Sequence, residues 1–143
     1  MGLAMGMYGT ILAALDTTPE GDRVLEQAAG LAKATGARVR VLHVRAADVT
    51  IGAAVEEEEE SASKEFLDGA VARLRDQGVD ADGELAESIR PLLPQAVMDA
   101  VEGAGADLLV LGRRRHGAVA SLIVGSVADG VAHRTDVPVL LVP

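Results

Sequence analysis

Asp107-Leu108-Leu109-Val110-Leu111-Gly112 opens the stretch that decides the fold; the chain continues as RRRHGAVASLIV over 113–124 and GSVADGVAHRTDVPVLLVP over 125–143. The run Leu108–Leu111 is short, apolar and closed by Gly112, which is how a buried parallel strand reads. Three successive arginines follow, and Gly125-Ser126 opens a second apolar-periodic stretch, Val127–His133. Strand, glycine, basic loop and glycine-serine helix start together make a phosphate cradle. Backbone N–H groups at a helix start point at an anion, and glycine lets the backbone approach it. The competing reading is an ordinary loop whose glycines serve only its turns.

Working outward, the same strand-and-helix alternation covers the chain. Met1–Gly9 has three glycines and no period, and reads as a flexible lead-in. Thr10–Leu15 is the first strand; Thr18 then stands at an N-cap position with Pro19 behind it. Val24, Leu25, Ala28, Leu31 and Ala32 recur at helical spacing up to Gly36, and Arg38–Val44 is the second strand. Ala46–Val55 shows no period and reads as a loop, and Glu56–Glu60 as the acidic opening of a second helix. Phe66, Leu67, Ala70, Val71 and Leu74 form that helix's buried stripe, with Gly78 at its end. Val79–Leu85 is a weak strand interrupted by Gly83, which suits an exposed edge. Leu92, Leu93, Ala96, Val97, Ala100 and Val101 form a third stripe whose first turn is blurred by Pro91 and Pro94. No repeat or linker interrupts residues 1–143, so a single α/β domain of five strands and four helices is expected, doubly wound around a parallel sheet.

Composition narrows the functions. Tyr8 and Phe66 are the only aromatic side chains, so the core is built from Val, Leu, Ile and Ala, and single-stranded nucleic acid has no stacking platform. Thirteen basic against 22 acidic side chains leave a net charge of −9, which argues against duplex binding; Arg113-Arg114-Arg115 is the local exception. That triplet suits either a small polyphosphate or a solvated turn paired with glutamates. Absence of cysteine removes disulfides, thiolate metal sites and cysteine nucleophiles. No run approaches the ~20 apolar residues of a membrane span, and Met1–Tyr8 lacks the basic and apolar regions of a signal peptide, so a cytoplasmic location is expected.

Gly112, a spacer, then Gly125-Ser126 resembles the nucleotide loop of the universal stress protein family, whose pattern is Gly, two residues, Gly, nine residues, Gly-Ser/Thr. Arg115 stands where the second glycine is expected. Thr10–Asp16 resembles the family's first strand with its terminal acid, Val39–Val44 its second strand, and Val137–Val142 its last. The resemblance implies a Rossmann-like, adenine-nucleotide α-hydrolase-like fold with strand order 3-2-1-4-5 and helices on both faces. It implies a small stress-response regulator that binds ATP, with Mg²⁺ as a possible companion, and signals through a protein partner. The backbone at Val44 would meet the adenine. Leu111, Gly112, Gly125, Ser126 and Val127 would surround ribose and phosphates, with Arg113, Arg115 and Gly117 completing the loop.

Two residues stay open. Asp16 can bond a ligand's ribose or base, hold a phosphate-bound Mg²⁺, or cap the helix at Thr18–Pro19. Arg115 either leaves Gly117 as the turning point while the arginines grip phosphate, or narrows the pocket and abolishes binding. The second outcome would make the protein a dimeric interaction module without nucleotide. A third reading, slow ATP hydrolysis, lacks a general base: His43 reads as buried, His116 as a turn residue, His133 as a helix-end residue, and none is paired at metal-ligand spacing. Ser121 sits in no nucleophile elbow, and neither a phosphate-loop lysine motif nor a dinucleotide glycine motif is present. In the strand order that the resemblance implies, Val139–Val142 is an apolar edge bracketed by Pro138 and Pro143. With the family's habit of dimerising through this strand, it implies a two-fold homodimer with the final strands side by side. The alternative is a monomer whose edge is covered by its own N-terminal segment.

Overall fold

β1 (Thr10–Leu15) occupies the centre of the sheet because its side chains serve two cores at once. Ile11 and Ala13 point to one layer and Leu12 to the other, all three fully buried. A computed structural model describes residues 7–50, 53–56, 60–113 and 126–143. In it β1 is flanked by parallel β2 (Arg38–Thr50) and β5 (Leu108–Gly112). Beyond them lie β4 (Ala81–Ile89), paired with β2, and β6 (Val139–Val142), paired with β5. The five parallel strands run β4-β2-β1-β5-β6. Counted without the short antiparallel β3 (Ala53–Glu56), this is the expected order 3-2-1-4-5.

Period-2 alternation in these strands divides the core between two helical layers. Ile11, Ala13, Val39, Val41, Leu108 and Val110 face α1 (Pro19–Thr35) and α2 (Glu60–Asp76). Leu12, Leu42, Leu109 and Leu111 face α3 (Leu93–Ala104) and α4 (Ser126–Ala132). Each fully buried Leu or Ile removes enough apolar surface from water to stabilise the fold by about 1.5–3 kcal/mol. Ala28, Ala29 and Ala32 on α1 let that helix ride close to the sheet, and it stops where Gly36 takes φ 77° and donates its N–H to the Ala32 carbonyl.

Several local expectations are corrected. The expected loop 46–55 is largely strand: β2 continues to Thr50 and turns back as β3, with Ala47, Asp48, Val49 and Thr50 opposite Glu56, Val55, Ala54 and Ala53. Pairing rather than an apolar period holds this segment extended. β2 leaves β1 at His43 but stays registered with β4 as far as Ala47–Ile89. Glu56 is therefore strand, and α2 begins at Glu60, with Glu57–Glu59 outside the described residues. β4 runs unbroken through Gly83 to Ile89, longer than the expected Val79–Leu85, and has β2 as its partner strand. The two prolines near residue 92 are accommodated by a 3₁₀ turn, Arg90–Leu92, placed before α3. The end of the expected lead-in is anchored, because the Asp107 carboxylate accepts from the Gly9 and Thr10 N–H groups at 2.9–3.2 Å. Tyr8 packs on the α1/α2 core.

Candidate functional site

The strand order reverses beside β1: the chain leaves it toward β2 on one side, while β5 arrives on the other. Ligands of open parallel sheets bind beyond the strand ends at such a point. Register shows which residues meet there. Ala14 is opposite Leu111, so Gly112 stands one step further along the β1–β5 seam. Leu15 is opposite His43, so Asp16 and Val44 stand one step beyond that pair on the β1–β2 seam. Gly112 is thus level with Leu15 and His43, and Asp16 and Val44, distant from it in sequence, stand one residue beyond that level at the C-terminal end of the sheet.

The start of α1 is built against this level. Asp16 Oδ1 accepts from the Thr18 N–H at 2.9 Å and from the Thr18 hydroxyl. Thr18 occupies the N-cap position but its side chain does not cap; its hydroxyl is committed to Asp16, and the aspartate folds the turn. Gly21 lies so close behind that a Cβ there would stand 2.4 Å from the Asp16 carbonyl oxygen. Only glycine fits, and the first turn is pressed onto the end of β1. This brings the preceding residue, Glu20, over β5. Its side chain is 6% exposed, and a Cβ on Gly112 would fall 1.9 Å from its Oε1. The glycine expected to admit a phosphate is therefore also the glycine that admits a carboxylate of the chain itself.

Other expected site residues take ordinary supporting places. Leu111 is buried and Val127 half-buried in the α3/α4 core, which Val44 also joins. Arg113 follows Gly112 directly, with its N–H donating to the Val142 carbonyl at 2.8 Å. Ser126 opens α4. Arg115, Gly117 and Gly125, like His116 and Ser121, lie outside the described residues. His43 is buried as expected. Its Nδ1 lies 3.0 Å from the Leu15 carbonyl, an acceptor, so the proton sits on Nδ1. The ring meets Phe66 edge-on at 4.8 Å. His133 Nδ1 lies 2.8 Å from the Asp129 carbonyl at the exposed end of α4.

Sequence reasoning missed Glu20, Gly21 and Arg45. Arg45 is buried and joined to Glu87 across the β2–β4 register, a charge in what reads as an apolar strand. Gly21 did carry a signal: glycine in a helix costs about 1 kcal/mol relative to alanine, so one in a first turn marks close approach. Glu20 carried none beyond being an acid at a helix start. Among the described residues, no three of the His, Asp and Glu side chains gather into a metal site, and no helix is long and apolar enough to cross a membrane.

An open sheet with α1 and β5 converging on a glycine at the switch point defines the Rossmann-like class. Within that class, the universal stress protein family model matches residues 7–143, and the chain belongs to this family. A universal stress protein of Thermus aquaticus is 36% identical over 148 aligned residues, 95% of this chain and 99% of its own length. The solved universal stress protein of Archaeoglobus fulgidus superposes with a TM-score of 0.75 at 28% identity, over 96% of this chain and all of that one, 100%. A structure of an Archaeoglobus fulgidus universal stress protein in complex with dAMP gives 0.70 at 27% identity, over 96% and 99% of the two chains.

Proposed function

We propose that the protein is a stress-response regulator that binds an adenine nucleotide, ATP as the sequence suggests, at the end of the β1–β5 seam and passes the bound state to a protein partner in the cytoplasm. The observation that carries this reading is the convergence of Asp16, Val44 and Gly112 within one residue of the same level, set by the two strand registers. Support comes from the relative that holds dAMP, similar to this chain over nearly its whole length. In this reading Asp16 meets ribose or base, the Val44 backbone the adenine, and Gly112, Arg113, Ser126 and Val127 the phosphate side. Arg115, Gly117 and Gly125 are assigned to the same loop from the sequence pattern alone. Mg²⁺, if it accompanies the phosphates, would neutralise their charge. Denaturing freshly purified protein should release an adenine nucleotide, and calorimetric titration of the emptied protein with ATP should saturate. Neither release nor saturation at millimolar ATP would end the proposal.

A second reading is favoured by one residue. Arg115 in the glycine position of the family pattern makes the chain a dimeric module without nucleotide. Arg115→Gly should then create ATP binding where the wild type has none, whereas a wild type that binds and a weakened R115G would make the arginine a ligand. Dimerisation is common to both readings and is assigned to β6. Its described partner is β5 alone, and it presents half-buried Val139, Leu140 and Leu141 at the sheet edge. Deleting Leu140–Pro143 should convert a light-scattering dimer to monomer. Slow hydrolysis is the weakest assignment. Phosphate release at the buffer rate by nucleotide-loaded protein would remove it.

A further inference from the structure

Glu20 is used by neither of those readings, yet its position is unusual. It is the second residue of α1, and its side chain is almost wholly buried at the C-terminal end of the sheet. Its carboxylate fills the space directly beside the Gly112 Cα, so that the Oε1 and Cδ atoms lie 1.9 and 2.7 Å from where a Cβ would be. Gly21 fixes this arrangement by holding the first turn against the Asp16 carbonyl. Arg113-Arg114-Arg115 follows Gly112 without a break. A carboxylate beside Gly112 therefore sits where the chain enters its one arginine run. It acts on an incoming phosphate by repelling the phosphate charge.

We propose that Glu20 is the charge selector of the crevice, a resident anion that makes affinity fall as phosphates are added to the adenine nucleoside. This rests on the nucleotide reading above and specifies it: the preferred ligands are adenine nucleotides of low charge, and a triphosphate is accepted best when a divalent cation screens it. Glu20 need touch no base or sugar to do this. Its effect on adenosine itself is nil, which separates a selector from a residue that shapes the pocket.

Adenosine, AMP and ATP are titrated calorimetrically into wild type and Glu20→Gln, in EDTA and again with excess Mg²⁺. The amide keeps the size of the carboxyl group and removes its charge. In EDTA, ATP affinity should rise about tenfold in E20Q, adenosine affinity should change less than about twofold, and AMP should fall between; one like-charge contact near a protein surface readily supplies a factor of this size. With Mg²⁺ the difference between the proteins should shrink. Glu20→Ala should shift the ATP-to-adenosine ratio the same way. Equal changes for all three ligands, or none, overturn the selector while leaving nucleotide binding intact. No binding of any ligand by wild type or either variant overturns the nucleotide reading and the selector with it.

The seat of the carboxylate is measured without ligand. Gly112→Ala should lower the melting temperature by about 5 °C or more in the wild type, since overpacking forces the two groups apart. The same substitution in the E20A background should cost less than half as much. An equal cost in both backgrounds would show that Glu20 is not what Gly112 accommodates.

Discussion

Each end of the β1–β5 seam carries an aspartate, and the two are employed differently. Asp107, at the start of β5, turns both carboxylate oxygens to the Gly9 and Thr10 N–H groups and ties the first strand to the fourth parallel one in chain order. Asp16, at the end of β1, folds its own turn through Thr18 and stands level with Val44, one residue beyond Gly112. The contrast extends to the glycines beside them. A Cβ on Gly9 would meet Asp107 at an ordinary 3.5 Å, while one on Gly21 would lie 2.4 Å from the Asp16 carbonyl oxygen. One end is closed by hydrogen bonds with room to spare. The other is compressed, and compression there aligns the start of a helix with the tip of a neighbouring strand.

The largest effect should come from that compression. Gly21→Ala drives a methyl group into backbone on an element that cannot yield without lifting α1 off β1. It should cost about 3 kcal/mol or more, at the upper end of what overpacking produces. Gly9→Ala should lie within about 0.5 kcal/mol of wild type, as surface substitutions do. Urea midpoints compare the two. Similar losses at both positions would erase the distinction between the ends.

Removing each aspartate comes next. Asp16→Ala and Asp107→Ala should each cost about 1–2 kcal/mol, because each carboxylate accepts charge-assisted bonds at a solvent-facing turn. Stability alone would make them look alike. Nucleotide titration should part them: D107A should bind ATP as the wild type does, and D16A should bind at least about tenfold more weakly, the loss of one good polar contact. A D107A variant with equally weakened binding would mean that both ends report only on the fold.

How much of this was legible in the sequence follows the same division. The strand order aside, the sheet could be read residue by residue, because a run such as Leu108–Leu111 buries side chains on both faces and must be apolar. β1 matches its expected bounds for that reason. Where pairing rather than burial holds the strand, reading failed. Arg45–Thr50 carries charged and polar residues and became strand because β4 and β3 supply its partners. The site was legible in part. Gly112 and Asp16 announce themselves at strand ends, and the two registers set them within one residue of the same level. Glu20 did not, because its contact with Gly112 joins residues far apart in the chain and depends on how tightly α1 is seated. A glutamate in a first turn is ordinarily explained by the helix dipole alone.

The smallest expected effect tests whether charges near the N-terminal end of the sheet serve structure only. Arg40, third in β2, holds Asp82, second in β4, through Nε–Oδ1 and Nη2–Oδ2 bonds of 3.0 and 2.9 Å, with Glu84 at 3.6 Å. The hydrogen bond from Arg40 holds the Asp82 carboxyl below its usual value against the opposing effect of burial, and the charges of Arg40, Arg38 and Arg75 add to it. The same bond raises Arg40 further above its ordinary range. Because the folded-state value of Asp82 is depressed, the unfolded chain binds its proton first as pH falls. The pair's contribution is therefore full above the ordinary carboxylate range and disappears as pH drops through the folded value. The side chains are 28% and 46% exposed, so solvent screening keeps the contribution below about 1 kcal/mol. Asp82→Asn should lower the urea midpoint slightly at pH ~7, match the wild type near pH ~2 where both carry a neutral group, and lose most of its effect in molar salt. Its nucleotide affinity should equal that of the wild type. A deficit that persists in acid would trace to packing of the amide, and a change in nucleotide affinity would carry the site's electrostatics to the far end of the sheet.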